Sequence, residues 1–144
     1  MQNKYLVAVE DSEGSRRAVN HAIERAKTSN AELLLVHVID WSPYSFHTAE
    51  ELSARHKRRD EELARAREAV LEPVTKMAND AGVVSSAEVR HGKGAETLSA
   101  MAKEHDVAQI IAGRTGDSGM SSMFFGSTSS KLVQISSVPV LIVP

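Results

Sequence analysis

Four runs of this chain have strand length and are apolar almost throughout: YLVAV at residues 5–9, LLLVHVI at 33–39, VAQIIA at 107–112 and VPVLIV at 138–143. A strand that is apolar at consecutive positions points side chains to both faces of its sheet, so both faces must be covered. That condition removes most all-β arrangements. The segments between the runs carry the cover. Ala18, Ala22, Ile23 and Ala26 recur at helical spacing, as do Leu63, Ala66, Val70, Val74, Met77 and Ala81, and again Ala95, Leu98, Met101 and Ala102. A further helix is predicted over residues 127–135. A fifth strand, through Val83, Val84, Ala87 and Val89, is less apolar than the others and suits a sheet edge.

The predicted order is β-α-β-α-β-α-β-α-β. It implies a five-stranded parallel sheet with helices on both faces, an open three-layer α/β/α sandwich. Ser12 and Ser15 are placed to cap the first helix. Pro73 lacks a backbone donor and is expected to kink or divide the long helical stretch 49–81, and Gly82 is expected to end it. Gly92-Lys93-Gly94 reads as a turn. With no internal repeat and no linker-like stretch, all 144 residues are expected to form one domain.

Bulk properties narrow the class of function. Hydrophobic residues make up 42% of the chain, as in a globular protein, and the formal net charge of −2 gives no electrostatic reason to expect nucleic-acid or membrane binding. No cysteine is present, which removes disulfides, thiolate metal sites and thiol catalysis. The apolar run near the N-terminus is too short for a signal peptide, and no run approaches membrane-spanning length. The expectation is a cytoplasmic protein with no membrane insertion.

The ligand signal lies near the C-terminus, in AGRTGDSGMSSMFFGSTSSK. Gly113, Gly116, Gly126 and Ser127 form the pattern G-x2-G-x9-G-S, between a predicted buried strand and a predicted helix. Glycines let a backbone approach a ligand or take a positive φ. The helix N-terminus supplies unpaired N–H groups, and the hydroxyls of residues 127–130 lie beside them. Arg114 can neutralise a phosphate through forked hydrogen bonds. In open α/β sheets, ligands bind beyond the carboxyl ends of strands where strand order reverses. Glu10, Val38 and Gly113 all fall at such ends, so three separated segments converge on one crevice.

Other motifs have weaker claims. No G-x4-G-K-[ST] phosphate loop occurs. GDSG at residues 116–119 matches a serine-protease nucleophile motif, but those enzymes need a two-barrel β fold and an ordered triad, so Ser118 is read as a loop residue near phosphate. The six histidines show no metal-ligand spacing, and His37, on a buried strand, is read as packed and hydrogen-bonded. The mixed-sign run HKRRDEE at 56–62 reads as a solvated helix face. The aromatic-rich loop 41–46 either packs over the helices or covers the crevice, with packing preferred.

Three segments together resemble the universal stress protein family, in its nucleotide-binding type. They are LVAVEDSEGSRRA at 6–18, LLLVHVID at 33–40, and GRTG at 113–116 with GSTS at 126–129 and the SVPVLIV ending. The resemblance runs end to end, with the glycine spacing its most specific part. It implies a Rossmann-like fold of the adenine nucleotide alpha hydrolase type and a bound ATP, ADP or AMP, with or without Mg2+. Carried over by residue, it implies that Ala8, Val9 and Glu10 lie beside adenine and ribose and that Val38 meets the adenine edge through its backbone. It places Gly113, Arg114 and Gly116 in the first half of a phosphate loop, and Gly126, Ser127, Thr128 and Ser129 in the second. One departure stands out: the family's Asp-Gly-Ser is here Glu10-Asp11-Ser12. Glu10 is one methylene longer, and Asp11 is either a solvated turn residue or a substitute carboxylate.

The resemblance also implies a homodimer through strand 138–143, an edge whose apolar character invites strand addition. The leading expectation is a regulatory, stress-response protein that binds rather than turns over nucleotide, with occupancy ordering loop 117–125 and altering a surface for an unidentified protein partner. Two alternatives stand beside it: slow ATP hydrolysis or phosphoryl transfer, for which no general base is evident, and a structural dimeric module without nucleotide.

Overall fold

The computed structural model describes residues 3–40, 49–114 and 127–144. Five strands, β1 (Lys4–Ala8), β2 (Glu32–Asp40), β3 (Ser85–Gly92), β4 (Gln109–Gly113) and β5 (Val140–Val143), form one sheet in the order β3-β2-β1-β4-β5. Every pairing is parallel. Helices α1 (Glu13–Ser29), α2 (Ala49–Ala66), α3 (Glu72–Asp80), α4 (Gly94–Glu104) and α5 (Ser127–Ile135) make the connections. The chain first steps outward from β1 to β2 and β3, then crosses back to build β4 and β5 on the other side of β1. Right-handed crossovers send helices to opposite faces when the direction of stepping reverses.

The core divides accordingly. Tyr5, Val7 and Val9 of the first strand segment, with Leu33 and Leu35 of β2, pack under Ala18, Val19 and Ala22 of α1, Val74 and Ala78 of α3, and Leu71 just before α3. Leu6, Leu34, Val36, Ile110 and Ala112 pack on the other face against Leu98, Met101 and Ala102 of α4 and Leu132 of α5. The period-two alternation along one strand thus feeds two separate cores, as the doubly apolar runs require. The sheet is the expected three-layer sandwich, and the less apolar β3 is an edge strand.

Local chemistry sets the boundaries. Ser12, in extended conformation, caps α1 by accepting from the Ser15 N–H at 3.2 Å. Ser15 does not cap, because its own hydroxyl accepts from the Glu10 N–H at 2.7 Å. The long helical stretch is divided as expected: α2 passes into a π-helical segment, Arg67–Leu71, and then into α3, with Pro73 in the first turn of α3. Gly82, at φ +76°, closes α3 with Gly82 N–H to Asn79 O and Val83 N–H to Ala78 O, so Val83 belongs to this cap and β3 starts at Ser85. Asp106 and Val107 close α4 the same way, which moves the start of β4 to Gln109. In the last strand, the Ser136 hydroxyl bonds both the N–H and the carbonyl of Val138 and Pro139 has no N–H, so regular pairing begins at Val140.

Candidate functional site

Between β1 and β4 the sheet reverses its order of construction, and at their carboxyl ends the crossovers diverge to opposite faces. A cleft opens beside this point. It is lined by Ala8, Val9 and Glu10 from the end of β1, Val36, Val38 and Asp40 from β2, Gly94 and Leu98 from α4, and Thr128 from α5. Its cavity volume is about 80 Å³, and it opens to solvent. The inner wall is apolar, through Ala8, Val36, Val38 and Leu98. Glu10 and Asp40 also line it, and both are exposed.

Each lining residue has a local reason to be there. On β2, Val36, Val38 and Asp40 are two apart and share the face turned toward α4. The first turn of α4 approaches closely because Gly94 has no side chain: a Cβ there would lie 3.0 Å from Thr128 Oγ1 and 3.1 Å from its Cγ2. Lys93, at the N-cap of α4, makes no side-chain capping bond, and Gly94, the first residue of the helix, lines the cleft. Past the end of β1, the Val9 N–H donates to Val36 O at 2.7 Å, while the Val9 carbonyl lies 2.7 Å from His37 Nδ1. His37 is thus the hydrogen-bonded residue expected.

Five of the candidate residues, Ala8, Val9, Glu10, Val38 and Thr128, come together in this cleft. Gly113 and Ser129 form a second group behind it. Gly113 does not take the positive φ that a loop glycine permits; among the described residues only Gly82 and Gly92 of the glycines do so. Its missing Cβ serves another contact, since a Cβ would lie 3.0 Å from Gly14 O and 3.2 Å from Gly14 C at the start of α1. The buried Ser129 hydroxyl donates to Gly113 O at 2.7 Å. A hydroxyl has one proton, so Ser129 has none left for a phosphate oxygen. This bond ties the end of β4 to the first turn of α5.

Ser127 is exposed at the first position of α5. Arg114 follows β4, its N–H donating to Val143 O at 2.8 Å. Its buried Nε has no hydrogen-bond partner among the described residues, an arrangement that fits an acceptor supplied from outside. Asp11 is absent from the cleft lining and pairs with Arg16 at 3.1 Å on the surface. Gly116, Gly126, Ser118, loop 117–125 and the aromatic loop 41–46 lie outside the described residues. Among the described residues, no group of three or more His, Asp or Glu is placed to hold a metal, and no helix is long and apolar enough to cross a membrane.

The sequence reading missed Val36, Asp40, Gly94 and Leu98. The period-two relation of Asp40 to Val38 was available and would have found it. Gly94 was read only as part of a turn, and nothing local connects it to Thr128.

A five-stranded parallel α/β sandwich with a cleft at its topological switch point defines the class of fold. Within that class the chain belongs to the universal stress protein family, whose model matches residues 1–144. It is 33% identical over 156 residues to the universal stress protein YxiE of Bacillus subtilis, with 99% of each chain covered. Its fold is similar to that of universal stress protein UspA from Lactobacillus plantarum, with a TM-score of 0.83 at 23% identity over 100% of this chain and 99% of that one. A universal stress protein in complex with cAMP has a TM-score of 0.66 at 22% identity, covering 98% and 95% of the two chains. One from Archaeoglobus fulgidus in complex with dAMP has a TM-score of 0.65 at 19% identity, covering 98% and 97%. At these identities the structural likeness is one of fold.

Proposed function

We propose that this protein is a single-domain regulator, spanning residues 1–144, that binds an adenine nucleotide (ATP, ADP or AMP, with or without Mg2+) in the cleft between β1, β2, α4 and α5. The observation that carries the reading is the convergence of Ala8, Val9, Glu10, Val38 and Thr128 on one cleft from three distant parts of the chain. The chemistry of the lining suits the ligand. The apolar wall of Val36, Val38 and Leu98 matches the faces of a purine, and the Glu10 carboxylate can accept from ribose hydroxyls. For phosphate, the reading takes Arg114, whose buried Nε lacks a partner among the described residues, with Gly113, Gly116, Gly126 and the α5 N-terminus at Ser127 and Thr128. The solved relatives named as cAMP and dAMP complexes support an adenine nucleotide as the ligand class.

In this reading the protein acts through occupancy rather than turnover, in the cytoplasm, as a homodimer joined along residues 138–143 and read by a protein partner. Isothermal titration calorimetry tests it directly. Titration of folded protein with ATP, ADP and AMP should give saturable binding for at least one of them, weakened by Gly94→Val, which would push a branched side chain into the cleft against Thr128. Absence of binding by all three nucleotides would overturn the reading.

A further inference from the structure

The peptide unit joining Val9 to Glu10 is held at both of its polar atoms by side chains. Its carbonyl oxygen lies 2.7 Å from His37 Nδ1, and its N–H donates to Ser15 Oγ at 2.7 Å. A carbonyl cannot donate, so the proton of this bond sits on Nδ1, which selects the Nδ1–H tautomer of the neutral ring. The bonds fall where the sheet stops supporting the chain. Pairing of β1 with β4 ends at Val7↔Ile111, and pairing with β2 ends at Ala8↔Val36. Beyond these points the Val9 N–H still reaches β2, at Val36 O.

Neither clamping residue belongs to the cleft lining. His37 stands between Val36 and Val38 on β2, so its side chain leaves from the opposite face of the sheet. Ser15 is buried in the first turn of α1, its position set by the Ser12 cap. They reach the cleft only through the backbone they hold, and the side chain carried by that backbone is Glu10. Holding this peptide fixes the origin from which the Glu10 side chain leaves the backbone.

We propose that His37 and Ser15 are positioning residues that aim the Glu10 carboxylate at the ribose diol of the bound nucleotide. The inference rests on the adenine-nucleotide reading above and adds to it the two groups that make a glutamate usable at this position. It is tested by calorimetry with ATP and with 2′,3′-dideoxy-ATP, which lacks both ribose hydroxyls. Wild-type protein should prefer ATP by about tenfold or more, the scale of a hydrogen bond to a charged acceptor, and Glu10→Ala should remove the preference. Ser15→Ala and His37→Phe should each cut the ratio by about threefold or more. His37→Asn, whose amide nitrogen can take the place of Nδ1, should restore it, whereas His37→Gln should not.

A folded His37→Phe variant with the wild-type ratio would overturn the proposal, as would equal ratios in the Asn and Gln variants if the Phe variant does not fold. Wild-type protein that binds both nucleotides equally would overturn it while leaving the nucleotide reading intact. Binding of neither would bring down both. Ring-nitrogen NMR gives a check that needs no ligand: neutral His37 should carry its proton on Nδ1, and the Nε2–H tautomer would refute the clamp.

Discussion

Two glycines show how differently a missing side chain can be used. Gly82 sits at φ +76° with nothing within 4 Å of where a Cβ would stand. Gly82→Ala should therefore cost about 1–2 kcal/mol, the penalty of a left-handed alanine alone. Gly113 has no conformational need, but its Cβ would meet Gly14 O at 3.0 Å. That contact is backbone against backbone and cannot relax by rotating a side chain, so Gly113→Ala should cost about 1–3 kcal/mol through displacement of α1 from the end of β4. Urea unfolding of the two variants checks the magnitudes. The two causes separate in the cleft: Gly113→Ala should also weaken nucleotide binding, because α1 carries Ser15, while Gly82→Ala should leave it unchanged. The spacing of Gly113 and Gly116 was legible as a ligand signal, but the reason for glycine at 113 was not. It depends on α1, a hundred residues earlier in the chain.

At the scale of elements, burial is uneven. β1 is flanked by strands on both sides, and Leu6 and Val7 are fully buried. α2 reaches the rest of the fold chiefly through β3 and the π-helical segment that follows it, and most of its described residues are exposed. Amide hydrogen exchange should therefore be slowest in β1, β2 and β4 and fastest, among the described elements, in α2. Comparable protection of α2 and β1 would contradict this ordering. Element identity was readable because hydrophobic period is a local property: short apolar runs rich in Val, Ile and Leu and bounded by polar residues have the length of buried strands, and i, i+3, i+4 spacing places an apolar stripe on a helix. Boundaries were less readable. The starts of β3, β4 and β5 were each placed two residues early, because Val83, Val107 and Val138 are apolar residues occupied by helix caps or by the Ser136 hydroxyl. An apolar side chain does not report where its own backbone N–H is spent.

For the molecule as a whole, the arrangement leaves β5 at one edge of the sheet, with half-buried Val140, Leu141, Ile142 and Val143 beside the exposed Val133 and Ile135 of α5. Light scattering at micromolar concentration should give twice the 15.6 kDa chain mass, and a monomer mass would refute the proposed dimer. The sequence by itself determined the layer architecture, the direction of the strands, the edge position of β3 and the family, because each follows from local periodicity or from residues in fixed short spacing. It also pointed to Glu10, Val38 and Gly113 as converging, since a parallel sheet gathers its strand ends on one side; Glu10 and Val38 line the cleft and Gly113 does not. Only the tertiary structure decided which residues share the cleft and which partners its neighbours have taken. It placed Asp40 and Gly94 in the cleft lining, committed the Ser129 proton to Gly113, drew Asp11 away to Arg16, and set His37 and Ser15 on the two ends of one peptide. Those assignments depend on distances between residues far apart in the chain, and no one-dimensional pattern encodes which partner a hydrogen-bonding group has already found.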